Sequence, residues 1–157
     1  MDFVLIKLKN IVTDVELVLS IRLIVACLIG ALIGMERRKV KGDPAILRMH
    51  IFICVGATLV SAVGCWYASM YNGDPARIAA QVIGSIGFLG MGVIFRHGNN
   101  ISGLTTASSL WVTGGIGIAI GMGAYILGII GAIIILCTLF FVKDKPTDET
   151  SNKQDSE

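Results

Sequence analysis

From residue 104 to residue 142 the sequence contains no charged side chain, and aspartate and glutamate are also missing from residues 17–35, 51–70 and 78–95. Runs of this kind match the ~20 mostly apolar residues with which a helix crosses a ~30 Å hydrocarbon core. Only 15% of the 157 residues are charged while 54% are hydrophobic, too little charge to coat a soluble domain. The bilayer is therefore expected to be the solvent. A net charge of +2 supplies no footprint for nucleic acid. Cys27, Cys54, Cys65 and Cys137 sit singly inside apolar runs, without metal-ligand spacing or a disulfide pattern, and read as packing residues. No metal site and no cofactor are expected. Residues 1–16 lack the apolar region and small-residue cleavage site of a secretory signal.

The missing carboxylates also bear on mechanism. A cation carrier usually places an acid near mid-membrane, and none is available here. No nucleophile and base lie at matched depth, so the chain is not expected to be an enzyme.

What is present divides the chain in three. Residues 1–16 mix apolar residues with Lys7, Lys9 and Asn10, too short and charged to span, and read as a helix in the interface plane. Residues 17–142 form a transmembrane domain, and 143–157 a polar cytoplasmic tail expected to be disordered. The fold class is an all-α integral membrane protein with five transmembrane helices. Spans are expected at about 17–35, 51–70 and 78–95, and the uncharged run 104–142 divides into two at Gly121–Gly123. Turns fall at Gly42-Asp43-Pro44 and Asn72-Gly73-Asp74-Pro75, and Pro75 suits the start of the third helix.

With five spans, one side of the membrane receives Arg37, Arg38, Lys39, Lys41, Arg48, Arg96, Lys143 and Lys145. The other receives Lys7, Lys9 and Arg77. The basic side is cytoplasmic, which puts the amino terminus outside and the carboxyl terminus inside. Four spans is the rival count.

Small and polar residues within the spans are the candidates for function. Gly30-x-x-x-Gly34 lies on the first helix, Gly117-x-x-x-Gly121 on the fourth, and Gly84, Gly87 and Gly90 recur on the third. Such strips let another backbone approach closely where lipid removes the hydrophobic drive. They serve packing within one bundle, a narrow or bending path along the third helix, or an oligomer interface. Arg22 enters the first helix near its outer end, at a depth similar to Gln81, with Asp74 and Arg77 in the nearby loop. A contact from Arg22 to Gln81 or Asp74 competes with simple snorkelling to the head groups. Thr105, Ser109 and Thr113, with Thr106 alongside, form a hydroxyl face that can bond across to Gln81 or Ser85 or line a polar crevice.

On the cytoplasmic side Glu36, Arg37, Arg38, Asp43, Arg48, His50, Arg96 and His97 gather at helix junctions. Three readings compete: a topology signal with lipid contact, a latch pairing Glu36 with Arg48 or Arg96, and a divalent-ion site through Glu36, Asp43 and a histidine. The run from Gly34 to Arg48 is also similar to that from Gly92 to Thr105. That similarity raises an architecture of two parallel helical hairpins plus one helix.

Arg22-Leu23, Gly30-Ala31-Leu32-Ile33-Gly34-Met35-Glu36-Arg37 and Leu47-Arg48-Met49-His50 are followed by Arg77-Ile78-Ala79-Ala80-Gln81. Gly87-Phe88-Leu89-Gly90-Met91-Gly92-Val93-Ile94-Phe95-Arg96 and Gly103-Leu104-Thr105-Thr106-Ala107-Ser108-Ser109-Leu110-Trp111 complete the series. Over about residues 17–142 this order of motifs resembles the MgtC/SapB family of bacterial inner-membrane proteins. Arg38 stands where many relatives have a second acid, and Ile46 where glycine is usual. Some relatives carry a soluble carboxyl-terminal domain that this sequence does not include, so a function of that domain is not carried over.

The resemblance implies an inner-membrane protein tied to adaptation to low magnesium, acid or other stress. It further implies regulation of membrane energetics, with the proton-driven ATP synthase as a suggested target. On that basis the expected function is a non-enzymatic membrane regulator that packs against another membrane protein or against itself. The rival is a small magnesium or proton pathway lined by Gln81, Ser85 and the Thr105/Ser109/Thr113 face, gated by Arg22 and completed by oligomerisation.

Overall fold

The structure, a computed structural model, describes the backbone of residues 2–97 and 100–142 and the side chains of residues 14–96 and 101–142. Five helices are present among the described residues: α1 (Asp2–Lys41), α2 (Pro44–Tyr71), α3 (Pro75–Met91), α4 (Leu104–Gly121) and α5 (Tyr125–Phe141). A short antiparallel hairpin, β1 (Phe95–His97) and β2 (Asn100–Ser102), joins α3 to α4.

Local chemistry sets the helix ends. Asp43 caps α2 by accepting a 2.7 Å bond from the Ala45 amide, with Pro44 in the first turn. Asp74 and Pro75 repeat the device on α3, the Asp74 carboxylate accepting from the Ala76 amide at 2.9 Å. The uncharged run does break where its glycines are, α4 ending at Gly121 and Gly123 taking a φ of +87° before α5 starts.

Two expectations need correction. The third span does not run to Phe95: α3 stops at Met91, and the chain turns through Gly92 into the hairpin, with Phe95 opposite Ser102 and Arg96 opposite Ile101. Glycines at 90 and 92 weaken the helix there, and Gly103, with a φ of +88°, closes the hairpin against the Val93 carbonyl so tightly that a Cβ would overlap it. A fold read as all-α thus contains one small β element. The two connections that an internal repeat would equate are also built differently, two residues between α1 and α2 against a hairpin between α3 and α4. At the other end of the chain α1 passes residue 16 without a break, and the expected tail, 143–157, lies outside the described residues.

α2 lies between α1 and α4. Gly30 and Gly34 of α1 face one side of it: a Cβ on Gly30 would come within 2.9 Å of the His50 carbonyl, and one on Gly34 within 3.0 Å of Leu47. Gly117 and Gly121 of α4 face another side, where a Cβ would sit 2.5 Å from the carbonyls of Cys54 and Thr58. α3 packs on α2 and α4 through Ala57, Ile86 and Ile118, and α5 on α1 and α4 through Ile33, Ile116, Ile120 and Ile135.

The polarity is that of a bilayer-embedded bundle. Arg37, His50, Thr58, Ser61, Thr106, Ser109 and Thr113 are buried, while Phe52, Phe88, Ile126 and Phe141 are at least 70% exposed on the outside. α1 from Asp14, α2 and α4 are long and apolar enough to cross a membrane, and α5 is apolar but shorter at 17 residues.

Candidate functional site

Interior polar groups gather in two places, one near the α1–α2 turn and one at the opposite end of the bundle. Near the turn, Arg37 points inward from the last turns of α1 and is 3% exposed, its guanidinium donating to the Thr106 hydroxyl at 3.3 Å. His50, fully buried on α2, contacts the Ile46 carbonyl through Nδ1 at 2.7 Å and the Ser109 hydroxyl through Nε2 at 2.9 Å. Since a carbonyl only accepts, Nδ1 carries a proton.

Ser109 also lies 2.8 Å from the Thr106 carbonyl. With a neutral imidazole its single proton has two acceptors, Nε2 and that carbonyl. With an imidazolium, Nε2–H donates to Ser109 and Ser109 donates onward. One chain, Arg37–Thr106–Ser109–His50, therefore ties α1, α4 and α2 together. Deeper in the bundle the Thr58 hydroxyl lies 2.8 Å from the Cys54 carbonyl and 2.9 Å from the Gly117 carbonyl, linking α2 to α4 where their backbones are closest.

At the other end Arg22 reaches across to close the bundle. Its Nη1 donates to the Gly121 carbonyl at 2.6 Å, Nε to the Tyr125 hydroxyl at 2.7 Å, and its guanidinium carbon lies 5.4 Å from the Tyr125 ring centre. Gly121 ends α4, so the cation meets a carbonyl that the helix leaves unsatisfied, at the negative end of its dipole. Arg22 is a clamp between α1 and the α4–α5 turn.

Several expected contacts are not formed. Arg22 pairs with neither Gln81 nor Asp74: Gln81 is exposed on α3, and Asp74 caps that helix. Ser109 and Thr113 do not bond to α3 either. Ser109 and Thr113 turn toward the interior, Thr113 donating to the Ser109 carbonyl at 2.7 Å, while Ser85 is exposed and donates to Val82 of its own helix. Thr105, beside buried Thr106, is exposed.

Glu36 binds Lys39 one turn along at 2.8 Å, and Asp43 is occupied as a helix cap. No three metal-ligating side chains converge among the described residues. Arg48, Arg77 and Arg96 are exposed, and the His97 side chain lies outside the described residues.

The glycines divide in the same way. Gly30, Gly34, Gly117 and Gly121 are used inside the bundle, and a Cβ on Gly90 would meet Ala107 at an ordinary 3.8 Å. Gly84 and Gly87 face open space. Beside them a groove of about 340 Å³ runs between α3 and α4, lined by Gly87, Gly90, Met91, Ala107 and Trp111 among others.

Three contributors escape a reading of the residues alone: Tyr125, Thr58 and Asp14, the last lining a cavity with Arg22. Tyr125 carries a usable signal, being one of the few polar-tipped side chains in the uncharged run. Thr58 has none beyond being a hydroxyl in an apolar helix.

Comparison with known proteins agrees with the pattern of motifs. The sequence profile described as the MgtC family matches residues 23–146. YhiD of Escherichia coli K12, whose name provisionally makes it a magnesium transporter, is 44% identical over 125 residues, covering 76% of this chain and 58% of that protein. Protein MgtC of Salmonella typhimurium 14028s is 40% identical over 126 residues, covering 79% and 52%. An uncharacterized protein of Haemophilus influenzae is 37% identical over 132 residues, covering 79% and 55%. The chain thus spans little more than half the length of these relatives, and no solved structure matches it. By the extent of the profile match and the identity to YhiD and MgtC, the chain belongs to the MgtC family.

Proposed function

We propose that this chain is a non-enzymatic regulator in the bacterial cytoplasmic membrane that works by seating a helix of another membrane protein on α3. The observation that carries this reading is the division of the glycines. Gly30 and Gly34 of α1 and Gly117 and Gly121 of α4 bring their helices onto α2, while Gly84 and Gly87 leave an open strip flanked by Phe88, 77% exposed, and Met91, 71% exposed. A flat strip beside a groove, on the side of α3 turned away from α2 and α4, suits the close approach of a second transmembrane helix. The family resemblance makes the proton-driven ATP synthase a candidate partner and low magnesium or acid the occasion. A second copy of this chain is the other candidate.

In this reading all five helices cross the bilayer, with the basic α1–α2 turn in the cytoplasm and the amino terminus outside, as the lysine and arginine distribution favours. Replacing Gly84 and Gly87 together by leucine should not lower the thermal unfolding temperature in detergent, because both positions are open and leucine favours the helix. It should abolish photocrosslinking from a probe at Phe88 to its partner in native membranes. Unchanged crosslinking would sink the proposal.

The name of YhiD favours a second reading, a magnesium pathway. Proton and magnesium flux into liposomes holding only this protein decides it: saturable flux that disappears with Gln81→Leu or Arg22→Ala would replace regulation by transport.

A further inference from the structure

Arg22 lines a cavity of about 400 Å³ between α1 and α2 at the Tyr125 end of the bundle. Its wall is mostly apolar, including Val18, Leu19, Trp66 and Met122, and its one other charged residue is Asp14. That volume falls at the low end of the range that holds a small-molecule group, about 300–1,000 Å³.

Both charges are uncompensated among the described residues. Arg22 uses Nη1 and Nε on Gly121 and Tyr125, but Nη2 has no acceptor and no carboxylate lies within ion-pair distance among those residues. The carboxylate of Asp14 has no partner among them either. The two lie eight residues apart on α1, about 12 Å along the axis, and the arginine side chain leans back toward the amino-terminal end of its helix.

The order of the charges is informative. Arg22 is the deeper of the two and Asp14 stands toward the end of the membrane span. In a phospholipid such as phosphatidylethanolamine, the phosphate lies nearer the acyl chains and the ammonium farther out, two carbons away. An apolar wall with a cation deep and an anion shallow complements that molecule along its length. The surface beside it, with Leu17 and Ile21 exposed, is also apolar, as a seat entered from the lipid phase requires.

We propose that this cavity holds one zwitterionic phospholipid bearing a primary ammonium, its phosphate on Arg22 and its ammonium on Asp14. The seat is separate from the α3 strip and does not depend on it. The lipid would join α1, α2 and the α4–α5 turn from outside as Arg22 does from within.

The test is native mass spectrometry of the full chain released from nanodiscs of equal phosphatidylethanolamine, phosphatidylcholine and phosphatidylglycerol. One retained phosphatidylethanolamine is expected in several-fold excess over the other two. Arg22→Gln should cut total retention about tenfold, the scale of one charge-assisted hydrogen bond. Because Arg22 also holds the fold, Asp14→Asn, at an exposed position, is the sharper variant. It should keep lipid bound and bring the ratio of ethanolamine to choline lipid to one. Arg77→Gln, exposed near the same end, should change neither. Equal retention of all three lipids by the wild type, or a preference untouched by Asp14→Asn, would overturn the site. Equal retention of water-soluble phosphoethanolamine would overturn the assignment to a lipid.

Discussion

Gly117→Ala adds a single methyl group where α2 and α4 are closest. The new Cβ would stand 2.5 Å from the Cys54 carbonyl oxygen and 3.0 Å from the Ala57 methyl, whereas ordinary contact begins near 3.4 Å. Neither neighbour is the free end of a flexible side chain, so the helices must part by about 0.9 Å, a gap that forfeits a quarter to a half of each dispersion contact it opens. Overpacking of this kind costs about 1–3 kcal/mol. The same displacement strains the Thr58 bond to the Gly117 carbonyl, at 2.9 Å already toward the long end of the usual range for a hydroxyl donor. Interhelical bonds in membranes contribute about 0.6 kcal/mol on average.

Against this, alanine in place of glycine favours the helix by up to about 1 kcal/mol. The net destabilisation is about 0.5–2.5 kcal/mol. Gly115→Ala is the control: two residues away on the same helix, its Cβ would meet nothing within 4 Å, so only the favourable propensity acts. Reversible unfolding in mixed micelles, followed by tryptophan fluorescence, measures both. If Gly117→Ala proved as stable as Gly115→Ala, close α2–α4 packing would be refuted as the centre of the fold.

Gly103→Ala should disrupt the α3–α4 hairpin, because a φ of +88° and overlap with the Val93 carbonyl both oppose a side chain. Faster labelling of a cysteine placed at residue 101 is the readout, and wild-type protection would count against the turn. A double-mutant cycle of Arg22→Gln and Tyr125→Phe should show coupling of about 1 kcal/mol, since either substitution removes the hydrogen bond from Nε to the Tyr125 hydroxyl. Strict additivity would mean that the clamp does not form. His50→Ala should cost about 2–4 kcal/mol, because it opens a cavity and deletes both hydrogen bonds of the ring. Ser109→Ala should then cost less in the His50→Ala background than in the wild type, and equal costs would separate the two residues.

How much of this is legible from residues alone depends on range. The turns at Gly42–Pro44 and Asn72–Pro75 and the break at Gly121–Gly123 are local, set by residues a few positions apart, and they read correctly, though not that Asp43 and Asp74 cap the helices that follow. The membrane setting is legible because hydropathy is a sum over a run, insensitive to which way each residue faces. The hairpin at 95–102 escapes such a reading because its strands are three residues each and follow apolar residues that continue the helical pattern. Gly103 is the clue, since its positive φ is what folds the hairpin back.

Sequence by itself determined that the chain is a helical membrane protein of the MgtC family, where its turns lie, and that its spans lack carboxylates. Tertiary structure alone decided what each small or polar residue faces. Gly84 and Gly117 carry the same local signal, yet one looks into open space and the other onto the Cys54 carbonyl. Depth sets Arg22 opposite Gln81, but depth fixes only position along the bundle axis. Rotation of each helix about its own axis sends Arg22 to Gly121 and Tyr125 and leaves Gln81 outside. In a bilayer that rotation is chosen by close packing between helices, since lipid offers every apolar face nearly the same solvent.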